Sequence, residues 1–197
     1  MRSPPAKSFE LRLPQWASDY AAGATAAADL AARMRFVIEA ARLNVERGTG
    51  GPFGAAVFER ETGALVSLGV NLVTSERISI LHAEIVALAL AQKRLGAFDL
   101  GAPGFAAHEL VSSAEPCAMC LGAIPWSGVK RLVCGARGED VESAGFDEGA
   151  KPGDWRGELS RRGVDVVVDL ERAAASSVIG DYARLGGVIY NSAKSSD

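Results

Sequence analysis

The sequence predicts a three-layer α/β/α domain with a five-stranded mixed sheet, on three observations. Two short apolar runs, 55–59 and 64–70, are separated only by Arg60-Glu61-Thr62-Gly63 and read as an antiparallel hairpin. The apolar pattern then changes to a helical period and alternates between helices and strands for the rest of the chain. A helix lies between the last two strands, which makes them parallel through a right-handed crossover. With 197 residues, 48% hydrophobic and 23% charged, the chain is long enough for one good-sized core.

Taken in order, residues 1–30 mix prolines with an alanine-rich run and lack core-forming periodicity. Residues 1–32 are therefore expected to form an arm packed on the surface, and 33–197 the folded domain. Met34, Val37, Ile38, Ala41 and Val45 share one helical face, and Gly48, Gly50, Gly51 and Pro52 stop that helix. After the hairpin, Ile85, Leu88 and Ala89 continue a helical pattern from His82 to Leu95, ending at Gly96. Leu110-Val111 is a brief strand, and Cys117 to about Trp126 is helical with Pro125 limiting its end. Leu132-Val133-Cys134 and Val164 to Val168 are the last two strands. A glycine-rich loop near 145–153 and a helix near 154–162 lie between them. A final helix over about 171–185 leads to Gly186-Gly187 and the tail Val188-Ile189-Tyr190.

The formal net charge of −3 and the lack of a Lys/Arg run disfavour a polyphosphate partner, so nucleic acid is not expected. No stretch approaches the roughly 20 apolar residues that cross a bilayer, and Pro4, Pro5, Lys7, Glu10 and Arg12 interrupt the segment a signal peptide would need. No membrane partner and a cytoplasmic location are therefore expected. Three cysteines, two of them in a Cys-x-x-Cys, fit a cytosolic metal or redox site better than a disulfide framework.

The chemistry gathers at two segments, His82-Ala83-Glu84 and Pro116-Cys117-Ala118-Met119-Cys120, each where a helix should begin. Free amide groups and the positive helix end favour thiolates there. One imidazole and two thiolates are three of the four tetrahedral donors that Zn2+ prefers, leaving one position for water. Glu84, two residues from a ligand, is placed to carry protons without occupying the metal. Cys134 offers an alternative as a fourth ligand of a closed structural site, or is a buried small hydrophobe. His108, beside Glu109, is expected on a solvated strand edge. A thioredoxin-like redox motif gives the His-x-Glu no purpose.

His-x-Glu followed by Pro-Cys-x-x-Cys is the signature of the zinc deaminases, so the chain resembles the cytidine-deaminase-like superfamily and its fold. Within it, the stretch Ser113 to Ile124 with Trp126-Ser127-Gly128 is similar to the bacterial guanine deaminases. So are Gly51-Pro52-Phe53-Gly54-Ala55, Gly69-Val70-Asn71, Gly145-Phe146-Asp147-Glu148 and Ile189-Tyr190-Asn191. The resemblance implies zinc-dependent hydrolysis of guanine to xanthine and ammonia in purine turnover, with a small-molecule nucleobase as substrate. It implies that Asn71 hydrogen-bonds the purine, that Phe53 and Phe146 border the ring, that Trp126 shapes the pocket and that Ala83 contacts the substrate. Glu148, with Asp147 as its local rival, would be a second catalytic carboxylate beside Glu84. Tyr190 would anchor the tail or cover a neighbouring site, in a homodimer that exchanges C-terminal segments. Each residue also has a plainer reading: Asn71 as a turn cap, the aromatics as core, Glu148 as a solvated loop residue. Glu148 and the long arm also leave room for an aminotriazine such as ammeline, or guanosine. A nucleic-acid-editing deaminase of the same fold would need a basic channel, and a zinc-stapled interaction module would leave Glu84 without a role.

Overall fold

Strand β1 (Gly54–Glu59) is the hinge of the architecture, pairing antiparallel with β2 (Leu65–Val70) on one side and β3 (His108–Ala114) on the other. β3 pairs parallel with β4 (Arg131–Ala136), and β4 with β5 (Asp165–Val167), giving the order β2-β1-β3-β4-β5. The computed structural model describes residues 8–27 and 29–191. Helix α1 (Gln15–Ala22) and α2 (Leu30–Glu46) precede the hairpin; α3 (Val73–Glu76) and α4 (Ala83–Leu95) follow it. α5 (Ala118–Ser127) joins β3 to β4, α6 (Gly138–Ser143) and α7 (Trp155–Arg161) join β4 to β5, and α8 (Arg172–Arg184) comes last.

The alternation along each strand sorts the core into two layers. Ala56, Phe58, Val111 and Val133 face α2 and α8, meeting Met34, Val37, Ala175 and Ile179. Ala55, Val57, Leu110, Leu132 and Cys134 face the other way, against Ala87 and Leu88 of α4, Ile124 of α5 and Leu159 of α7. The predicted five-stranded mixed sheet with helices on both faces is therefore the fold observed.

Two glycines set how closely the layers approach. A Cβ at Gly69 would lie 2.2 Å from the Ala83 carbonyl oxygen and 2.5 Å from the Ala87 nitrogen, so α4 can settle on β2 only because that position has no side chain. A Cβ at Gly50 would stand 1.8 Å from the Asn71 carbonyl oxygen, so the loop before β1 crosses directly under the end of β2. The Asn44 amide crosslinks the two segments, donating to Gly51 O and Asn71 O at 2.9 Å each.

Several expectations need correction. The first seven residues of the expected arm lie outside the described residues, but residues 15–22 form α1, whose Ala17 is fully buried in the core. The boundary at 32 cuts through α2, which begins at Leu30 with Asp29 as its N-cap. α1, α3 and α6 are too short or too polar to show an apolar period. Pro125 sits inside α5 rather than ending it; the helix runs on to Ser127 and stops at Gly128, in the left-handed region at φ 82°. His108 is buried, not solvated, because β3 is interior to the sheet, and its Nδ1 lies 2.8 Å from Leu100 O.

Candidate metal centre and active-site cavity

The register brings the loop segments of interest to one end of the sheet. Gly54, the first residue of β1, pairs with Val70, the last of β2, while Ala55 lies opposite Ser112 near the end of β3. Phe53, Asn71 and Glu115-Pro116-Cys117 therefore leave the sheet side by side, in the crevice beyond the carboxyl end of β3. Ligands in α/β sheets commonly bind in such a crevice.

His82 is the N-cap of α4 and Cys117 the N-cap of α5, so both project from helix ends where amide groups are unsatisfied. His82 Nδ1 lies 3.4 Å from Cys117 Sγ, and the ligand atoms of His82, Cys117 and Cys120 all lie within 4.8 Å of one another. Cys120, one turn into α5, is fully buried. Cys134 is not part of this cluster: it points from β4 into the layer beneath α4 and α5, packed as a small hydrophobe.

The electrostatics suit a cation. The hydrogen bond from Cys120, opposed by burial and aided by His82, holds the Cys117 thiol down at about 4. The Cys120 thiol, the donor in that bond and itself buried, is pushed up. Burial alone would lower His82, but the facing Cys117 sulfur and the carboxylates of Glu84 and Glu148 outweigh it and raise it. Two cysteine sulfurs, which bind zinc as thiolates and release their protons on doing so, and an imidazole whose Nδ1 faces Cys117 form the nitrogen-sulfur donor set that zinc takes.

Glu84 lies in the first turn of α4 and is buried beside the cluster; burial, then the Cys117 sulfur, raises its pKa. A cavity opens above it, lined by His82, Glu84 and Cys117, by Phe53, Asn71 and Val73, and by Phe146, Asp147, Glu148, Val188 and Tyr190. Phe53 and Phe146 meet edge to face with ring centres 5.1 Å apart. Asn71 caps the turn, Oδ1 accepting from Val73 N at 3.2 Å, and the residue also lines the cavity.

The loop after α6 presents two neighbouring carboxylates very differently. Asp147 is exposed, and its Oδ1 accepts from Gly149 N at 2.9 Å. Glu148 is only 7% exposed; burial pushes it up to about 7 while Lys151, 3.0 Å from Oε2, acts in the opposite direction. Tyr190 lines the cavity of its own chain, and Asn191 fastens the tail to the same loop, donating to Gly145 O and accepting from Asp147 N.

Two expected site residues stand elsewhere. Trp126 is 81% exposed on the outer face of α5, because Cys120, Ile124 and Ser127 take the inward positions. Ala83, the first residue of α4, is fully buried where that helix settles on the sheet and does not border the cavity. Thr74, Val188 and Glu115 line the cavity without having been singled out. For Glu115 a signal existed, a charged residue wedged between a buried strand and the Pro-Cys motif.

Comparison with known proteins agrees with this geometry. Residues 28–136 match the family described as the cytidine and deoxycytidylate deaminase zinc-binding region. The structure of a guanine deaminase from Nitrosomonas europaea is 45% identical, with a TM-score of 0.88, covering 92% of this chain and 100% of that one. A mutant relative crystallised with 8-azaguanine is 46% identical, with a TM-score of 0.87 and coverage of 90% and 98%. Guanine deaminase from Bacillus subtilis (strain 168) is 41% identical over 104 residues, 53% of this chain; the alignment spans only 62% of that relative's length. A His-Cys-Cys cluster on two helix ends, a buried glutamate beside it and a family match across more than half of the sequence place this chain in the cytidine and deoxycytidylate deaminase zinc-binding family.

Proposed function

We propose that the chain hydrolyses guanine to xanthine and ammonia. The observation that carries this reading is a buried glutamate beside a three-donor metal cluster, on the floor of a cavity walled by an aromatic pair and an amide side chain. His82, Cys117 and Cys120 would hold a zinc ion, which when bound would supply Lewis-acid activation of water. Glu84 takes a proton from the attacking water and delivers it to N3 as oxygen adds to C2. The C2–N bond then breaks, the second water proton leaves with the amine as ammonia, and Glu148 serves that departure. Phe53 and Phe146 border the ring, and Asn71 offers its amide to the polar edge of the purine. The burial of Glu148 and the exposure of Asp147 support the choice between the two carboxylates. The N. europaea and B. subtilis relatives support guanine as the base.

The same reading includes a homodimer. α5 carries no charged residue, and Met119, Gly122 and Trp126 all face outward; a helix apolar on every side is ordinarily covered. A second copy meeting this face would use Trp126 there instead of in the pocket. Three free cysteines fit a reducing, cytoplasmic setting, and no helix among the described residues is long and apolar enough to cross a membrane.

The test is ammonia release from guanine, guanosine, adenine, cytosine and an aminotriazine. The expected result is the highest kcat/KM for guanine, because a site built on the purine's polar edge leaves its own buried groups unpaired with the wrong base. A higher value for adenine or cytosine refutes the reading, and a preference for guanosine would mean that the cavity stays open at N9.

A further inference from the structure

Glu148 is held by a residue with no role so far, Lys151. Its Nζ donates to Glu148 Oε2 at 3.0 Å and to the Pro116 carbonyl oxygen at 3.3 Å, and its side chain is 14% exposed. One ammonium thus ties the loop after α6 both to its own carboxylate and to the backbone immediately before the ligand Cys117. The space it occupies is provided by Gly138, where a Cβ would lie 3.0 Å from Nζ. The other carboxylate nearby, Glu115, is already engaged: Oε1 accepts from Arg156 at 2.7 Å and Oε2 from Gly138 N at 3.0 Å. The pairing of Lys151 is therefore directed to Glu148.

The terminal torsion of a glutamate is broad and roughly two-fold, so a carboxylate without a fixed partner swings between orientations. With Oε2 anchored to Nζ, Glu148 keeps one orientation on the cavity wall, where reaching the substrate depends on angle as much as on distance. We infer that Lys151 is a positioning residue, fixing the Glu148 carboxylate against the cavity and coupling its loop to the start of α5. The inference rests on the proposed role of Glu148 in the departure of the amine.

The experiment is a double-mutant cycle on the zinc-loaded full chain with guanine as substrate. Lys151→Ala is expected to lower kcat about 10- to 100-fold, the scale for a misplaced reacting group. KM should change less than about threefold and zinc content should match the parent. In a Glu148→Gln background the same change should cost less than about twofold, because the residue it positions is already disabled. Lys151→Met, which keeps the apolar stem, carries the same test if the alanine variant fails to fold. An effect of Lys151 replacement that persists undiminished on Glu148→Gln overturns the inference, as does zinc loss from both Lys151 variants. So does near-parental turnover of the Lys151 variants while Glu148→Gln is crippled, and in that case the reading of Glu148 survives. Near-parental turnover of Glu148→Gln refutes that reading and this inference together.

Discussion

Replacing Glu109 by Gln should lower the free energy of unfolding by about 3–5 kcal/mol. Glu109 is 0% exposed and accepts from two guanidinium groups, Arg33 at Oε1 and Arg131 at Oε2. Arg33 is itself only 2% exposed, and it also donates to Ala27 O at 2.8 Å and Arg60 O at 3.0 Å, joining residues before α2, the hairpin turn and β3. Neutralising the carboxylate leaves the Arg33 charge in the interior without a counter-ion, which is the costly way to break a buried pair. For a chain of this size about 2–4 °C of Tm accompanies each kcal/mol, so calorimetry should register a fall of roughly 6–20 °C. Asp165→Asn is the control: Asp165 pairs with Arg60 at 2.9 Å, but the side chains are 62% and 34% exposed, and the loss should stay below about 1 kcal/mol. Deamination at a permissive temperature should be unaffected by Glu109→Gln, since five residues of β3, about 17 Å, separate Glu109 from the site end of that strand. A Tm within about 2 °C of the parent, or a control that costs as much, would refute the reasoning.

Glu84→Gln should retain one zinc per chain while kcat falls about 10²- to 10⁴-fold, the usual contribution of a positioned acid-base group; metal analysis beside an ammonia assay decides it, and zinc loss would make Glu84 a ligand. Cys120→Ser should lose the metal and most activity together, because it removes one of three donors from a buried cluster; retention of zinc at parental affinity would redraw the ligand set. Asp140 accepts from Arg172, Arg137 N and Ser176, and chiefly the Arg172 guanidinium holds it below the ordinary carboxylate range. A depressed folded-state pKa stabilises above the unfolded value near 4 and is lost as pH falls through the folded value. Asp140→Asn should therefore unfold at lower denaturant at pH 7, by about 1 kcal/mol for this partly exposed pair, with the gap closing in acid; a gap that widens in acid contradicts the assignment.

What the sequence determined is what depends on local order. Apolar periodicity set the hairpin, the five strands and the longer helices, since burying one face of an element requires side chains at its own repeat. His82 and Cys117 were legible as metal donors because helix starts can be read from the chain, and the N-cap geometry follows from that. Tertiary structure alone decided which side of each element met a neighbour. Trp126 and Ile124 lie two residues apart on one apolar helix, yet one is exposed and the other buried, because α5 turns Cys120 inward. Asp147 and Glu148 are adjacent and alike in charge, and only the packing of their loop on the start of α5 buries one and leaves the other in water. Arg33 and Glu109, 76 positions apart, gave no sign of burial, since a charged residue reads as solvated until its partner arrives from elsewhere in the chain. Periodicity is a property of neighbours in sequence, whereas desolvation and ion pairing depend on neighbours in space, which exist only once the sheet has assembled.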